Sequence, residues 1–241
     1  LILELKGKNR PLVRTKAELE NLSSFLGVGP SSNMVGVFSN DALAYRDKID
    51  TASQQPSLSD MVGRAIEFLQ YNTSGYVLVV DCELADRASG RNDGEHAIRQ
   101  LIDMDNAMET AREYAGKKAL IIAVGKHSTG GMSLNGYPLR QDKGVGLLGT
   151  DSHGTPSITW ATGPNGPVIV TGSTVTPPGG TASPVVSTNV NLNKDEPAAF
   201  HSEQAINNAD DVIAVGIGQG TQVLKGFQDN TIVFKIVNDN L

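Results

Sequence analysis

Apolar positions along the chain recur at two spacings, about two residues and about 3.6, and the switches between them divide it into elements. Pro11-Leu-Val-Arg-Thr15 reads as a short strand, and Thr15-Lys-Ala-Glu18 offers a capping box for a helix that turns Leu19 and Leu22 inward. Met34-Val-Gly-Val-Phe38 supplies the next strand, so the chain opens as β-α-β. Ser57-Leu-Ser-Asp60 is a second N-cap, after which Leu58, Val62, Ala65, Ile66 and Leu69 share one helical face until Asn72-Thr-Ser-Gly75 closes the helix. From His96 to Ala115, Ala97, Leu101, Met104, Met108, Ala111 and Ala115 form one apolar stripe, with Gly116 as its C-cap and the strand Ala119-Leu-Ile-Ile-Ala-Val124 next. Beyond Gly130-Gly131 the pattern dissolves into Gly, Pro, Thr, Ser and Asn, with short β-like runs such as Val168-Ile-Val-Thr171. Residues 132–200 are expected to be an irregular surface lobe inside one domain that covers residues 1–241. The pattern returns with a strand at Val212-Ile-Ala-Val215, a turn at Gly216-Ile-Gly-Gln-Gly220, a short helix near Gln222–Lys225 and the apolar end Ile232–Val237.

The central stretch is Gly75-Tyr-Val-Leu-Val-Val-Asp81, an apolar run flanked by helical patterns. It predicts a buried strand in an α/β fold, part of a doubly wound, mostly parallel sheet with helices on both faces. Asp81 and Asp86 fall at its C-terminal end, where such folds place their sites. His127 follows the Ala119–Val124 strand, and His201 lies near the strand at Val212. Two carboxylates and two imidazoles at separate strand ends are a set that can hold a hard or borderline metal ion.

Charge narrows the partners. A net charge of −6, with no stripe of Lys and Arg, excludes a nucleic-acid backbone. Cys82 is the single cysteine, so an internal disulfide is excluded and the redox compartment stays open. No apolar run has the length of a membrane span, and Leu1-Ile-Leu-Glu-Leu-Lys-Gly-Lys8 lacks both an initiator Met and a signal-peptide layout. The chain is therefore expected to be processed or truncated.

Several motifs have bland explanations. Gly216-Ile-Gly-Gln-Gly220 misses the dinucleotide spacing by one position and has no acidic residue about twenty residues on, so it is a strand-to-helix turn. Ser128-Thr-Gly-Gly131 lacks the flanks of a nucleophile elbow and reads as a tight turn. His96 beside Glu95 is a first-turn helix residue.

In order, Pro56-Ser-Leu-Ser-Asp-Met61, Gly75–Asp81, Asp86, Asp105, His127-Ser-Thr-Gly-Gly131, His201-Ser202 and Gly226-Phe-Gln-Asp-Asn-Thr231 together resemble the C-terminal half of an alkaline phosphatase. That family shows a PSLxxM helix start, a strand ending in an acid, a D-H-x-x-H metal motif, a T-A-D-H-x-T-G-G strand end, a late H-T-G and a G-x-x-D-N-T. The resemblance covers nearly the whole chain. It implies zinc and magnesium, with Asp86 in the place of a zinc-binding Asp and His201 in that of the late zinc-binding His. Asp81 stands for the glutamate that helps hold magnesium. His127 is kept from an Asp-His pair whose Asp is replaced by Lys126, and Gly90 stands where a zinc-binding His is expected, four residues after Asp86. The nucleophilic serine, its neighbouring metal Asp and the phosphate-clamping Arg belong to the other half, so no catalytic residue is assigned here.

A two-metal hydrolytic site needs both cations, and one ligand is lost from each. Lys126 adds an ammonium where a divalent cation belongs, or takes its place as an anion-binding group. The expected function is a degenerate alkaline-phosphatase-like structural or binding component, extracellular or periplasmic as the resemblance implies. The alternative is an active phosphomonoesterase completed by the other half, with Asp93, Glu95 or His96 replacing the missing His. A third reading is a phosphate-binding module without turnover. Half of such a sheet would leave strand edges exposed, so a complementary N-terminal polypeptide or another subunit, in a homo- or hetero-oligomer, is the expected partner.

Overall fold

Both N-caps read from the sequence start helices in a computed structural model of the chain, which describes residues 12–21, 34–49, 54–116, 119–135, 156–175, 183–187 and 196–241. Two compact units emerge: residues 1–82, 100–124 and 213–241, and residues 83–99 and 125–212.

In the first unit, β1 (Leu12–Val13) and β2 (Val35–Gly36) pair in parallel around α1 (Lys16–Glu20), which is the expected β-α-β. Thr15 Oγ1 accepts from the Glu18 backbone at 3.1 Å while the Glu18 carboxylate accepts from the Thr15 N–H at 3.2 Å. Two of the helix's orphan N-terminal donors are thereby satisfied. Val13 and Leu19 are buried against Met34, Phe38, Met61 and Phe68; Leu22 lies outside the described residues. Ser57 repeats the device at α2 (Leu58–Leu69), with bonds of 3.1 and 2.9 Å to Asp60. Burial pushes the Asp60 carboxyl up, but hydrogen bonds from Lys16 Nζ (2.9 Å) and the Ser57 backbone outweigh it and hold the group below its ordinary value.

Val62 and Ile66 of α2 pack on Ala107 of the long helix α4 (Gly94–Ala115), whose preceding neighbour α3 (Glu83–Ser89) lies in the second unit. Gly116, at φ 73°, ends α4 as expected. The buried face of α4 is rotated from the apolar stripe. Leu101 and Ile102 are about half exposed, whereas Gln100 and Asp103 are buried. Asp103 accepts this position because Arg46 Nε lies 3.3 Å away, giving the carboxylate a cation that Leu101 does not need.

The apolar run Gly75–Asp81 departs from its predicted strand. Tyr76 and Leu78 pack toward α2 and α4, but Val77 and Val79 on the other side are 55% and 85% exposed. The segment alternates as a strand does, yet no strand lies beside it among the described residues. An apolar run becomes a buried strand only when layers cover both faces. Here one is covered. The sheets are small, and β3 (Ile121–Val124) pairs antiparallel with β11 (Ala214–Ile217), so this part of the sheet is not the parallel one expected. Thr221–Val223 form a 3₁₀ turn and Thr231–Asp239 form α5.

The second unit holds β4 (Ser128–Thr129), β5 (Ser133–Leu134), β6 (Ile158–Gly163), β7 (Val168–Val175), β8 (Ser183–Ser187), β9 (Ala198–His201) and β10 (Asn207–Asn208). β6 is central, antiparallel to β5 and parallel to β9, while β7 and β8 form an antiparallel pair. The stretch 132–200 thus carries strands where it is described. Ile158, Trp160 and Ala198 form the core with Ile98 and Met132. Glu196 accepts from Trp160 Nε1 and from the Gly94 N–H that begins α4, each at 2.8 Å. Burial, with Asp93 and Glu95 nearby, raises its carboxyl above the ordinary value despite both bonds.

Candidate functional site

Asp86 lies one turn before the end of α3, and the helical pattern continues to Gly90, whose N–H bonds Asp86 O at 2.8 Å. Opposite it, the chain leaves β3 through Gly125-Lys126-His127 and enters β4. The turn after β4 requires glycine. Gly130 and Gly131 have φ of 75° and 60°, and a Cβ on Gly130 would lie 2.8 Å from the Trp160 ring. This close approach, with the β4–β10 register, fixes where Thr129 stands.

Thr129 Oγ1 bonds the Asp86 carboxylate and contacts His127 Nδ1 at 3.0 Å and the Asn207 amide at 3.1 Å. His127 Nδ1 lies 3.8 Å from Asp86 Oδ1, with both side chains partly exposed. A carboxylate, an imidazole, a hydroxyl and an amide therefore converge. Of the residues expected at a metal site, Asp86 and His127 come together. His201 sits on the exposed end of β9, and no hydrogen bond or ion pair joins its ring to either of them. The late residue that does reach the cluster is Asn207, at Thr129. Asp81 ends the extended segment of the first unit and is exposed, and Lys126 is exposed beside His127.

Sequence reasoning missed Thr129 and Asn207. Thr129 shares a strand side with His127, two residues back, which is a readable signal. Asn207 is brought in only by the pairing of two-residue strands, which no local pattern announces. The proposed substitutes for the missing His are engaged elsewhere. Asp93, just before α4, bonds His96 Nδ1 at 2.7 Å and the His96 N–H at 3.1 Å, and Glu95 pairs with Arg99 at 2.9 Å in the first turns of that helix.

Asp86 and His127 thus meet where a helix end and a strand end approach each other in an α/β arrangement. The family description for alkaline phosphatase matches residues 1–241, and the chain belongs to that family. Alkaline phosphatase 4 of Bacillus subtilis (strain 168) is 32% identical over 136 residues, which is 56% of this chain and 28% of that protein. The membrane-bound alkaline phosphatase of Bombyx mori is 31% identical over 52% of this chain and 22% of its own length. The alkaline phosphatase structure from the Antarctic bacterium TAB5 covers 99% of this chain with a TM-score of 0.60 at 17% identity, a likeness of fold. The chain spans 54% of that protein and less than a third of the curated relatives named.

The family implies zinc and magnesium, and a mutant of the TAB5 enzyme has been solved with Mg bound. Catalytic zinc takes three protein ligands from Cys, His and carboxylates. Here Asp86 and His127 supply two; Thr129, which touches both, offers a neutral hydroxyl, and Asn207 beyond it a neutral amide. Among the described residues no three His, Cys, Asp or Glu side chains form a metal-binding group. This donor set does not fit a catalytic zinc. Nor, among the described residues, is any helix long and apolar enough to cross a membrane.

Proposed function

We propose that this chain is a catalytically degenerate member of the alkaline phosphatase family, acting outside the cytoplasm as a binding or structural component. The observation that carries this reading is the company Asp86 keeps: one imidazole and one hydroxyl, the hydroxyl in turn meeting an amide. Two-metal ester cleavage needs one cation to activate the attacking oxygen and another to stabilise the leaving one. With Gly90 and Asn207 contributing no anionic or imidazole donor and Lys126 bringing a positive charge, neither first shell is complete. The test is hydrolysis of p-nitrophenyl phosphate by the full chain supplied with zinc and magnesium. No turnover above the buffer rate is expected. Turnover that chelation removes and that Asp86→Asn abolishes would contradict the reading and favour an active phosphomonoesterase.

The same reading includes a complementary polypeptide of this fold. Val79, Ile213, Phe227 and Phe234 of the first unit are 85%, 78%, 82% and 73% exposed. The extended segment at Val77–Val80 also lacks a ladder neighbour among the described residues. Apolar side chains and an open backbone edge together suit strand addition. Light scattering is expected to give a native mass well above the 25.5 kDa of one chain; a stable monomer would count against the partner.

A further inference from the structure

Strands β4 and β10 pair antiparallel with Thr129 opposite Asn207, so these two side chains stand on one face of the ladder. The Thr129 hydroxyl is thereby placed among three polar neighbours: the Asp86 carboxylate, His127 Nδ1 and the Asn207 amide. A hydroxyl has one hydrogen to give and two lone pairs to receive with. A carboxylate only accepts, and a hydrogen bond to it is stronger than one to an amide, so the single hydrogen goes to Asp86. Both other neighbours must then donate. Asn207 stands with Oδ1 3.1 Å from the Thr129 hydroxyl; once the hydrogen is given to Asp86, the amide is turned over so that Nδ2 donates, an assignment that the hydrogen-bond network decides. For His127, donating requires a hydrogen on Nδ1.

We infer that Thr129 is a positioning residue that holds His127 in its Nδ1–H form and so leaves Nε2 as the nitrogen offered to an incoming ligand. Asp86 takes part through the hydroxyl, since its own oxygen lies 3.8 Å from the ring nitrogen. The arrangement is a carboxylate–hydroxyl–imidazole chain in which each bond fixes the sense of the next. It goes beyond the proposed function, because it concerns which face of the imidazole is available whether or not the chain turns over substrate. Asn207 contributes to this orientation as an amide donor.

The experiment is a long-range 1H–15N correlation spectrum of the full chain labelled with 15N-histidine, in alkaline buffer about two pH units above the ordinary imidazole value. Signals of the four histidines are sorted by comparison with His127→Gln. The parent His127 is expected to show the Nδ1–H pattern. Thr129→Val keeps the shape and removes the hydroxyl, and His127 is expected to shift toward the Nε2–H form that an unconstrained neutral ring favours. Thr129→Ser restores the hydroxyl and is expected to restore Nδ1–H, a rescue that a purely steric role of Thr129 would not give. An Nε2–H pattern in the parent, or Nδ1–H persisting in a folded Thr129→Val, overturns the inference. If Thr129→Val does not fold, the parent and Thr129→Ser decide, and both must show Nδ1–H.

Discussion

Replacing Gly90 by His and Lys126 by Asp together is expected to raise the chain's zinc affinity by more than about a hundredfold, since outer-shell partners alone are worth 10–100-fold at such sites. The geometry is permissive. Residue 90 lies four positions after Asp86 on a continuing helical turn, so the two side chains share a face. A Cβ built on Gly90 meets nothing closer than the Asp86 and Arg87 carbonyl oxygens, at 3.4 and 3.6 Å, which is ordinary contact. An imidazole there joins Asp86 and His127 as a third donor, reaching the ligand number of a catalytic zinc. Lys126→Asp removes a positive charge next to His127 and adds an anionic oxygen. Gly90→His alone is expected to give a smaller gain. Competition against a chromophoric zinc chelator measures all three proteins. Equal affinity of parent and double variant would mean that these two positions are not what the chain lacks.

Asn92→Ala is expected to destabilise the second unit by about 2–4 kcal/mol, because each buried backbone group left without its partner costs about 1–3 kcal/mol. Asn92 is 4% exposed and links two distant parts of the unit. Its Nδ2 donates to Thr162 O on β6 at 2.9 Å, and its Oδ1 accepts from the Asn165 N–H at 3.3 Å. Its backbone is left-handed, at φ 55°, a conformation Asn tolerates better than Ala. Asn92→Gly relieves the backbone cost and loses both bonds, so it should fall between parent and Asn92→Ala. Trp160 is the single tryptophan and is buried in this unit, so its emission in a urea titration follows the unit directly. A change within about 0.5 kcal/mol, the range of ordinary surface substitutions, would show that Asn92 does not brace β6.

Local rules made much of the fold readable. Thr15 and Ser57 announce their helices because a cap depends on residues only three positions apart. Gly116 announces the end of α4 for a similarly local reason, its left-handed backbone. The buried face of α4 was less legible, because Asp103 is carried inside by Arg46, far away in sequence. Gly75–Asp81 has the composition of a buried strand, but burial depends on what covers it, and only the side toward Tyr76 and Leu78 is covered. At the site, Asp86 and His127 could be named from motif order. Thr129 was visible in the His127-Ser-Thr-Gly-Gly131 motif without a role, and Asn207 was not visible at all. The late position drew attention to His201 because imidazole is a common ligand, whereas strand register brings an amide to Thr129.

The most direct test of the proposal that the metal cradle is incomplete is zinc content, measured by elemental analysis after the full chain is equilibrated with zinc and dialysed. The account predicts well below one tightly held ion per chain, since the cluster at Asp86 falls short of the three ligands a catalytic zinc requires. About two retained ions per chain, the complement of a two-metal hydrolase, would contradict it.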